Sequence, residues 1–381
     1  LDESYDYLIK NPGVPIHHKY VEKAEKLKIE VINEVEMAYR LLPKDVTLVS
    51  ITGTNGKTTT TTLTYEMIKE EGIRCHLAGN IGYPLCSFLD KLKKGDVIVM
   101  ETSCQQLNNV KEFKPHIAVM TNLSEAHVDF FDNSYRKYKD VKTKIFKNQT
   151  KDDIAILNLE NDEVLKQTEN IKSKKLYFSS KKKADCYLKD DIIYYNDEEV
   201  LDTNRMIIVG NHNKENVMAS IMVAKEFNVS NETIRKVAYN FKGVEHRLEF
   251  SGEVDGVKYY NDTEATNIKC TQIALSSFNK PTIIILGGLE RGQDFNELTP
   301  YMKNVKAVLA IGQCRKRVED YAKSLKIPVY THEFLKDAMK EIEGIKKSGD
   351  VVLLSPASAS WDQYKECEIR GKEFKDFVKE L

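Results

Sequence analysis

Short apolar runs recur along this chain at 46–51, 97–100, 117–120, 154–157, 283–286, 307–311 and 351–354. Between them lie stretches of helical periodicity, such as 58–71, 135–147, 213–227 and 335–347. Parallel strands covered by helices on both faces read this way, as near-continuous apolar segments without alternation. The succession predicts an α/β architecture with right-handed crossovers. One stretch departs from it. Between 176 and 202, Tyr177, Phe178, Tyr187, Ile192, Ile193, Tyr194 and Tyr195 sit among polar residues near an Asn-Asp turn, which predicts small antiparallel strands or a hairpin. A helical zone from 213 to about 240 ends at Phe241-Lys242-Gly243, and strand-like segments resume at 248–254 and 257–260 across Asp255-Gly256. A domain boundary is therefore placed near Gly243, giving segments 1–43, 44–243 and 244–381. The first of these is too short to fold alone.

The chain's 381 residues fit two or three domains. With 57 Lys and Arg against 58 Asp and Glu, no basic field favours nucleic acid, and the run at 181–183 reads as solvated surface. Nothing approaches the roughly 20 apolar residues that cross a bilayer, and no signal peptide opens the chain. Seven cysteines lie scattered without a CxxC pair, which predicts reduced thiols in a cytoplasmic protein and no structural zinc.

The chemistry starts at Leu48-Val49-Ser50-Ile51, which runs into Gly53-Thr54-Asn55-Gly56-Lys57-Thr58-Thr59 and a Thr-rich helix start. Glycines let backbone amides approach an anion, and the helix N-terminus adds partial positive charge. Lys57 can reach terminal phosphates, and the Thr58 hydroxyl suits Mg²⁺. The two residues between the glycines are fewer than the four of the general phosphate loop. Further along, Glu101 closes an apolar strand, at the strand end where α/β proteins bind ligands. Thr121 to Asp129, with His127, follow the next strand. Taken alone, Glu101 reads as a surface acid, His127 as structural, and Lys142 as one of several solvated lysines.

The loop Ile51 through Thr59 resembles the ATP loop of the Mur ligases and of folylpolyglutamate synthases. Other stretches sharpen the resemblance to Mur ligases: Gly79-Asn80-Ile81-Gly82, Gly210 to Asn216, Glu245-His246-Arg247, Asn261 to Asn267 and Ser355 to Gln363, the last of which folylpolyglutamate synthases should lack. The resemblance spans the chain, with residues 1–43 matching only the tail of the family's UDP-binding domain. A piece lacking most of that domain is expected to hold a uridine end poorly. The fold implied is a central phosphate-loop domain with a parallel sheet, a Rossmann-like C-terminal domain, and a remnant of an N-terminal α/β domain. The activity implied is ATP-dependent amide ligation through an acyl phosphate, adding D-glutamate to UDP-muramoyl-alanine in the cytoplasm, by a monomer. The resemblance further implies two Mg²⁺ sites held by Thr58, Glu101, His127 and a carbamylated Lys142, fifteen residues past His127. It implies ATP contacts from Asn216 and Arg247, and substrate contacts from Asn80, Arg291 and Ser360.

Ala126 stands where the family often has Asp or Gly, at a position that is not a ligand, and two positions on the amino-acid side also depart from the pattern. Glu264 stands where the relatives carry a Lys that pairs with the D-glutamate, and Cys367 lies near the position of their pocket-lining Phe. Reversing that charge turns attraction into repulsion of about 4 kcal/mol at ~4 Å and an effective dielectric near 20. Either Arg291 supplies the missing cation for D-glutamate, or the pocket takes an amino acid with a neutral or basic side chain. A non-catalytic paralogue is a further alternative, opposed by the presence of Lys57, Glu101, His127 and Lys142.

Overall fold

The computed structural model describes residues 1–126 and 128–381. They form two compact units, residues 1–206 with 212–240, and residues 207–211 with 241–381. The first unit opens with a parallel pair, β1 (Tyr7–Lys10) and β2 (Glu30–Asn33). The helix after it, Glu34–Arg40, sends Val35 and Ala38 into the unit's main core. Residues 35–42 thus share the main core, whereas Val21, Ala24, Ile29 and Val31 form a small cluster of their own.

That core lies on a nine-stranded sheet. Its strands are β3 (Thr47–Thr52), β4 (Cys75–Gly79), β5 (Val97–Glu101), β6 (Ile117–Met120), β7 (Ile154–Asn158), β8 (Lys174–Ser179), β9 (Cys186–Lys189), β10 (Ile192–Tyr195) and β11 (Glu198–Asp202). The order is β11-β10-β9-β8-β7-β6-β3-β5-β4, parallel from β4 to β9. Burial on both faces explains the unalternating runs: Leu48, Val49, Ile51, Ile98, Val99 and Met100 have no exposed surface. The expectation for 176–202 needs correction at its start. Tyr177 and Phe178 belong to β8, which pairs parallel to β7 through the crossover helix Asp162–Gln167, and only the pairs β9–β10 and β10–β11 are antiparallel. Polar neighbours mark β8 as partly exposed; they carry no information on strand direction.

Register sets up the site. Ile51 pairs with Glu101, Gly79 with Glu101, and Thr52 with Met120. The carboxyl ends of β3, β4, β5 and β6 therefore finish in one row, where an α/β sheet opens its crevice.

In the second unit β12 (Glu249–Val254) and β13 (Val257–Asn261) make a hairpin. Its turn residues Asp255 and Gly256 both have positive φ (53° and 75°), as a tight two-residue turn requires. With β14 (Thr282–Gly287), β15 (Val305–Ile311), β16 (Val329–Thr331) and β17 (Val351–Leu354), the order is β12-β13-β17-β14-β15-β16. All pairs but the hairpin are parallel. Asn261 and Ile285 both pair with Leu354, and Gly287 with Ile311, so this sheet too ends in a row of loops. Arg247, Arg291 and Ser360 lie in this unit. No helix among the described residues is long and apolar enough to cross a membrane.

Candidate active site

Between β3 and the helix Lys57–Glu70, the loop doubles back on two glycines in conformations that L-residues avoid, Gly53 at φ 150° and Gly56 at φ 80°. Both are also sterically required. A Cβ on Gly53 would collide with the Thr121 hydroxyl, and one on Gly56 with the Asn216 amide. The loop is clasped from the next strand end. Asn122 accepts from the Asn55 amide at 2.9 Å and donates to the Asn55 carbonyl at 3.0 Å, and Thr121 donates to that carbonyl at 2.6 Å. The Thr54 hydroxyl meets Tyr138 at 2.9 Å and accepts from the Ser124 amide. The loop is thus held open by its own neighbours, and the first-turn amides of Thr58 and Thr59 have no acceptor within the helix. This is an anion cradle. At its edge, Asn216 accepts from Thr60 at 3.3 Å and donates to Asn213 at 3.1 Å, and this expected ATP contact lies beside the loop's second glycine.

Glu101 is 1 % exposed at the end of β5. One carboxylate oxygen accepts from Asn80 at 2.8 Å; the other, Oε2, is buried with no hydrogen-bond partner. A bare buried carboxylate oxygen is costly unless a cation completes it. Gly79, at φ 99°, makes the arrangement possible, because a Cβ there would strike the Glu101 carbonyl.

Lys142 reaches in from the helix Tyr135–Thr143 and is 1 % exposed, unlike the solvated lysine that its basic neighbours in sequence suggest. Its Nζ donates to the Gly53 carbonyl at 2.7 Å and to the Thr52 hydroxyl at 3.2 Å, and it lies 5.2 Å from the centre of the Tyr138 ring. Burial, assisted by the nearby Lys57 charge, pushes its pKa down to about 7, against the pull of Cys104 and Glu101. A neutral amine has two N–H donors, both used here, and a lone pair to spare. That is the state in which an amine attacks CO₂.

The first unit therefore brings together Gly53 to Thr59, Asn80, Glu101, Lys142 and Asn216. His127 lies outside the described residues. Thr121, Asn122, Thr52 and Tyr138 carry roles that the sequence motifs do not assign. Polar residues directly after apolar strands are the available signal.

In the second unit Arg247 is exposed, in a turn where His246 and Leu248 have φ of 67° and 46°. Asp262, another unassigned residue, pins this turn. It accepts from the Leu248 amide at 3.0 Å and from Ser355 at 2.7 Å. Burial pushes its carboxyl up to about 7. Because the folded chain holds that proton more tightly than the unfolded one, the stabilising contribution is full below about pH 4 and is lost as pH rises to about 7. Above that, folding buries a charged carboxylate, a cost on the order of 4 kcal/mol. In Asp262→Asn the amide can accept from Leu248 and donate to Ser355, whose hydroxyl proton can then turn to Thr271, 3.0 Å away. The variant is expected to melt several degrees above the wild type at pH 8, with the gap closing by pH 5. A pH-independent gap in scanning calorimetry would refute this account.

Glu264 turns to Arg247 at 3.5 Å, and its carboxylate, the Cys367 thiol and the Glu368 carboxylate lie within 4.8 Å of one another. The two amino-acid-side departures from the family pattern are thus neighbours. Ser360 is 1 % exposed, and its hydroxyl has no partner. Arg291 lines a cavity of about 460 Å³ with Thr266, Asn267, Lys269 and Ser358.

A clasped phosphate loop, a half-satisfied buried glutamate and a buried lysine beside it define a nucleotide-dependent α/β enzyme. The family models for the Mur ligase middle domain and for the Mur ligase, glutamate ligase domain match residues 51–224 and 246–358. The chain belongs to the Mur ligase family. It is 42 % identical over 388 residues to the UDP-N-acetylmuramoylalanine--D-glutamate ligase of Enterococcus hirae, covering all of this chain and 84 % of that protein. The enzyme of the same name from Lactococcus lactis subsp. lactis is also 42 % identical, over 98 % of this chain and 83 % of its own length. Among solved structures, MurF ligase from Thermotoga maritima in complex with ADP superposes with a TM-score of 0.69 at 19 % identity, covering 99 % of each chain. MurC from Thermotoga maritima gives 0.64 at 18 %, over 98 % of this chain and 85 % of its own. Those two likenesses concern the fold.

Proposed function

We propose that this chain is an ADP-forming amide ligase that joins D-glutamate to UDP-N-acetylmuramoyl-L-alanine in peptidoglycan precursor synthesis. The observation that carries this reading is the meeting of Lys142 with the Gly53 carbonyl beside half-satisfied Glu101, in a chain matched end to end by ligases of that name. The loop amides and Lys57 hold the ATP phosphates, and Asn216, beside Gly56, is a further ATP contact. Glu101 and Thr58 would hold one Mg²⁺, and His127 with a carbamylated Lys142 a second. Bound there, the metals supply charge screening between nucleotide and acceptor carboxylate. Asn80, fixed by Glu101, orients that carboxylate, which takes the γ-phosphoryl group as ADP leaves. The amine of the amino acid then attacks the acyl phosphate carbonyl, loses a proton, and expels inorganic phosphate. Arg247 is an ATP contact in this reading, and Arg291 and Ser360 are contacts to the amino acid. The enzyme works in the cytoplasm, as a monomer.

The acidic cluster of Glu264 and Glu368 beside Cys367 favours a second reading, in which the amino acid has a neutral or basic side chain. Phosphate release measured with ATP, UDP-N-acetylmuramoyl-L-alanine and a panel of amino acids separates the two. The first reading expects D-glutamate to be preferred by at least about tenfold over D-glutamine and D-lysine, a difference of about 1.4 kcal/mol. A response to D-lysine without one to D-glutamate rejects it.

A further inference from the structure

Trp361 is the only tryptophan in the chain, and it stands 65 % exposed directly after buried Ser360. Its ring is not idle. The Arg291 guanidinium lies over it, 4.6 Å from the ring centre. Among the described residues this stack is the only partner of the Arg291 side chain, which makes no hydrogen bond or ion pair. The two backbones beneath are fastened to each other. The Leu289 amide donates to the Ala359 carbonyl at 2.8 Å, Gln293 donates to the Ser358 hydroxyl, and Arg370 donates to the Ser358 carbonyl at 3.1 Å.

Stacking engages the face of a guanidinium and leaves its in-plane N–H edge free. That edge matches a carboxylate with two parallel hydrogen bonds. An exposed arginine loses considerable rotamer freedom when it binds, and a ring that already holds it flat removes part of that cost. The cavity beside the stack is also lined by Lys269, by the acids Asp294 and Glu297, and by Thr266, Asn267 and Ser358, while nearby Ser360 has its buried hydroxyl unpartnered. The cation that the ring holds is Arg291, away from position 264, where the charge is negative and already faces Arg247.

We propose that Trp361 is a positioning residue of the amino-acid site, holding Arg291 flat so that its N–H edge grips the side-chain carboxylate of the incoming acidic amino acid. The proposal rests on the D-glutamate reading above and adds the device by which a carboxylate is recognised once Glu264 has replaced a cation.

Steady-state kinetics of the intact ligase test it, with Trp361→Ala, Trp361→Phe and Arg291→Ala at saturating ATP and UDP-linked substrate. Trp361→Ala is expected to raise KM for D-glutamate about tenfold, with kcat and KM for ATP within about twofold of wild type. Phenylalanine keeps an aromatic face and is expected to restore most of the loss. D-glutamate should also change the wild-type tryptophan emission saturably, and Arg291→Ala should abolish that response. An unchanged KM in Trp361→Ala overturns the proposal, as does a parallel rise in KM for ATP, which would mark general disruption. If the wild type turns over only a neutral or basic amino acid, the D-glutamate reading fails and this proposal with it. If D-glutamate is turned over and Trp361→Ala leaves its KM unmoved, only the Trp361 role fails.

Discussion

Replacing Lys142 with alanine is expected to lower ligase turnover by about a thousandfold or more, while the protein stays folded. The side chain is buried, donates two hydrogen bonds and has a pKa of about 7, so it bears no resemblance to a surface lysine kept for solubility. Carbamylation turns an amine that repels cations into a carboxylate that binds them, and it sits where Gly53 and Thr52 already fix its position. Alanine removes that carboxylate. Added acetate or formate should fit the space left and restore part of the activity, increasing with concentration, as measured by phosphate release. Full activity in the variant would remove Lys142 from the mechanism. Loss without rescue, with an unaltered melting curve, would leave it as a packing residue of the loop.

The second large effect lies at Glu101, where activity and stability should move in opposite directions. Glu101→Gln keeps the shape and the hydrogen bond from Asn80, and it removes a buried charge whose second oxygen has no partner. Without metal, the variant is expected to melt at the same temperature as the wild type or higher, because a buried carboxyl oxygen without a partner is costlier to desolvate than a neutral amide. Turnover should nevertheless fall on the order of 100- to 1000-fold, with a weaker response to Mg²⁺. A site kept at the expense of stability is what function maintains. Normal Mg²⁺ dependence in the glutamine variant would show that Glu101 is no ligand.

Much of this architecture is legible in the order of residues alone. Apolar runs without alternation, joined by helical stretches, announce a parallel sheet, and the glycine spacing around Lys57 announces phosphate. The direction of β8 is not legible, because direction depends on how the chain returns, and the local residues are the same either way. Asp262 gives no signal of its own within the stretch Asn261 to Asn267. Its role appears only when the Leu248 amide and the Ser355 hydroxyl converge on it from 14 and 93 residues away. Arg291 and Trp361 are separated by the whole span from β15 to β17, and their contact exists only because the loops after β14 and β17 are bound side by side.

By itself, then, the sequence determined which residues can carry the chemistry. Residue type and local spacing set the strands, the glycine loop and the supply of acids, amines and hydroxyls. Only the tertiary structure decided their state. It buried Lys142 until its amine lost its proton near neutral pH, left one oxygen of Glu101 bare, and turned Glu264 toward Arg247. Protonation and pairing depend on solvent exclusion and on charges distant in the chain, and these exist only once the strand ends are gathered into one row.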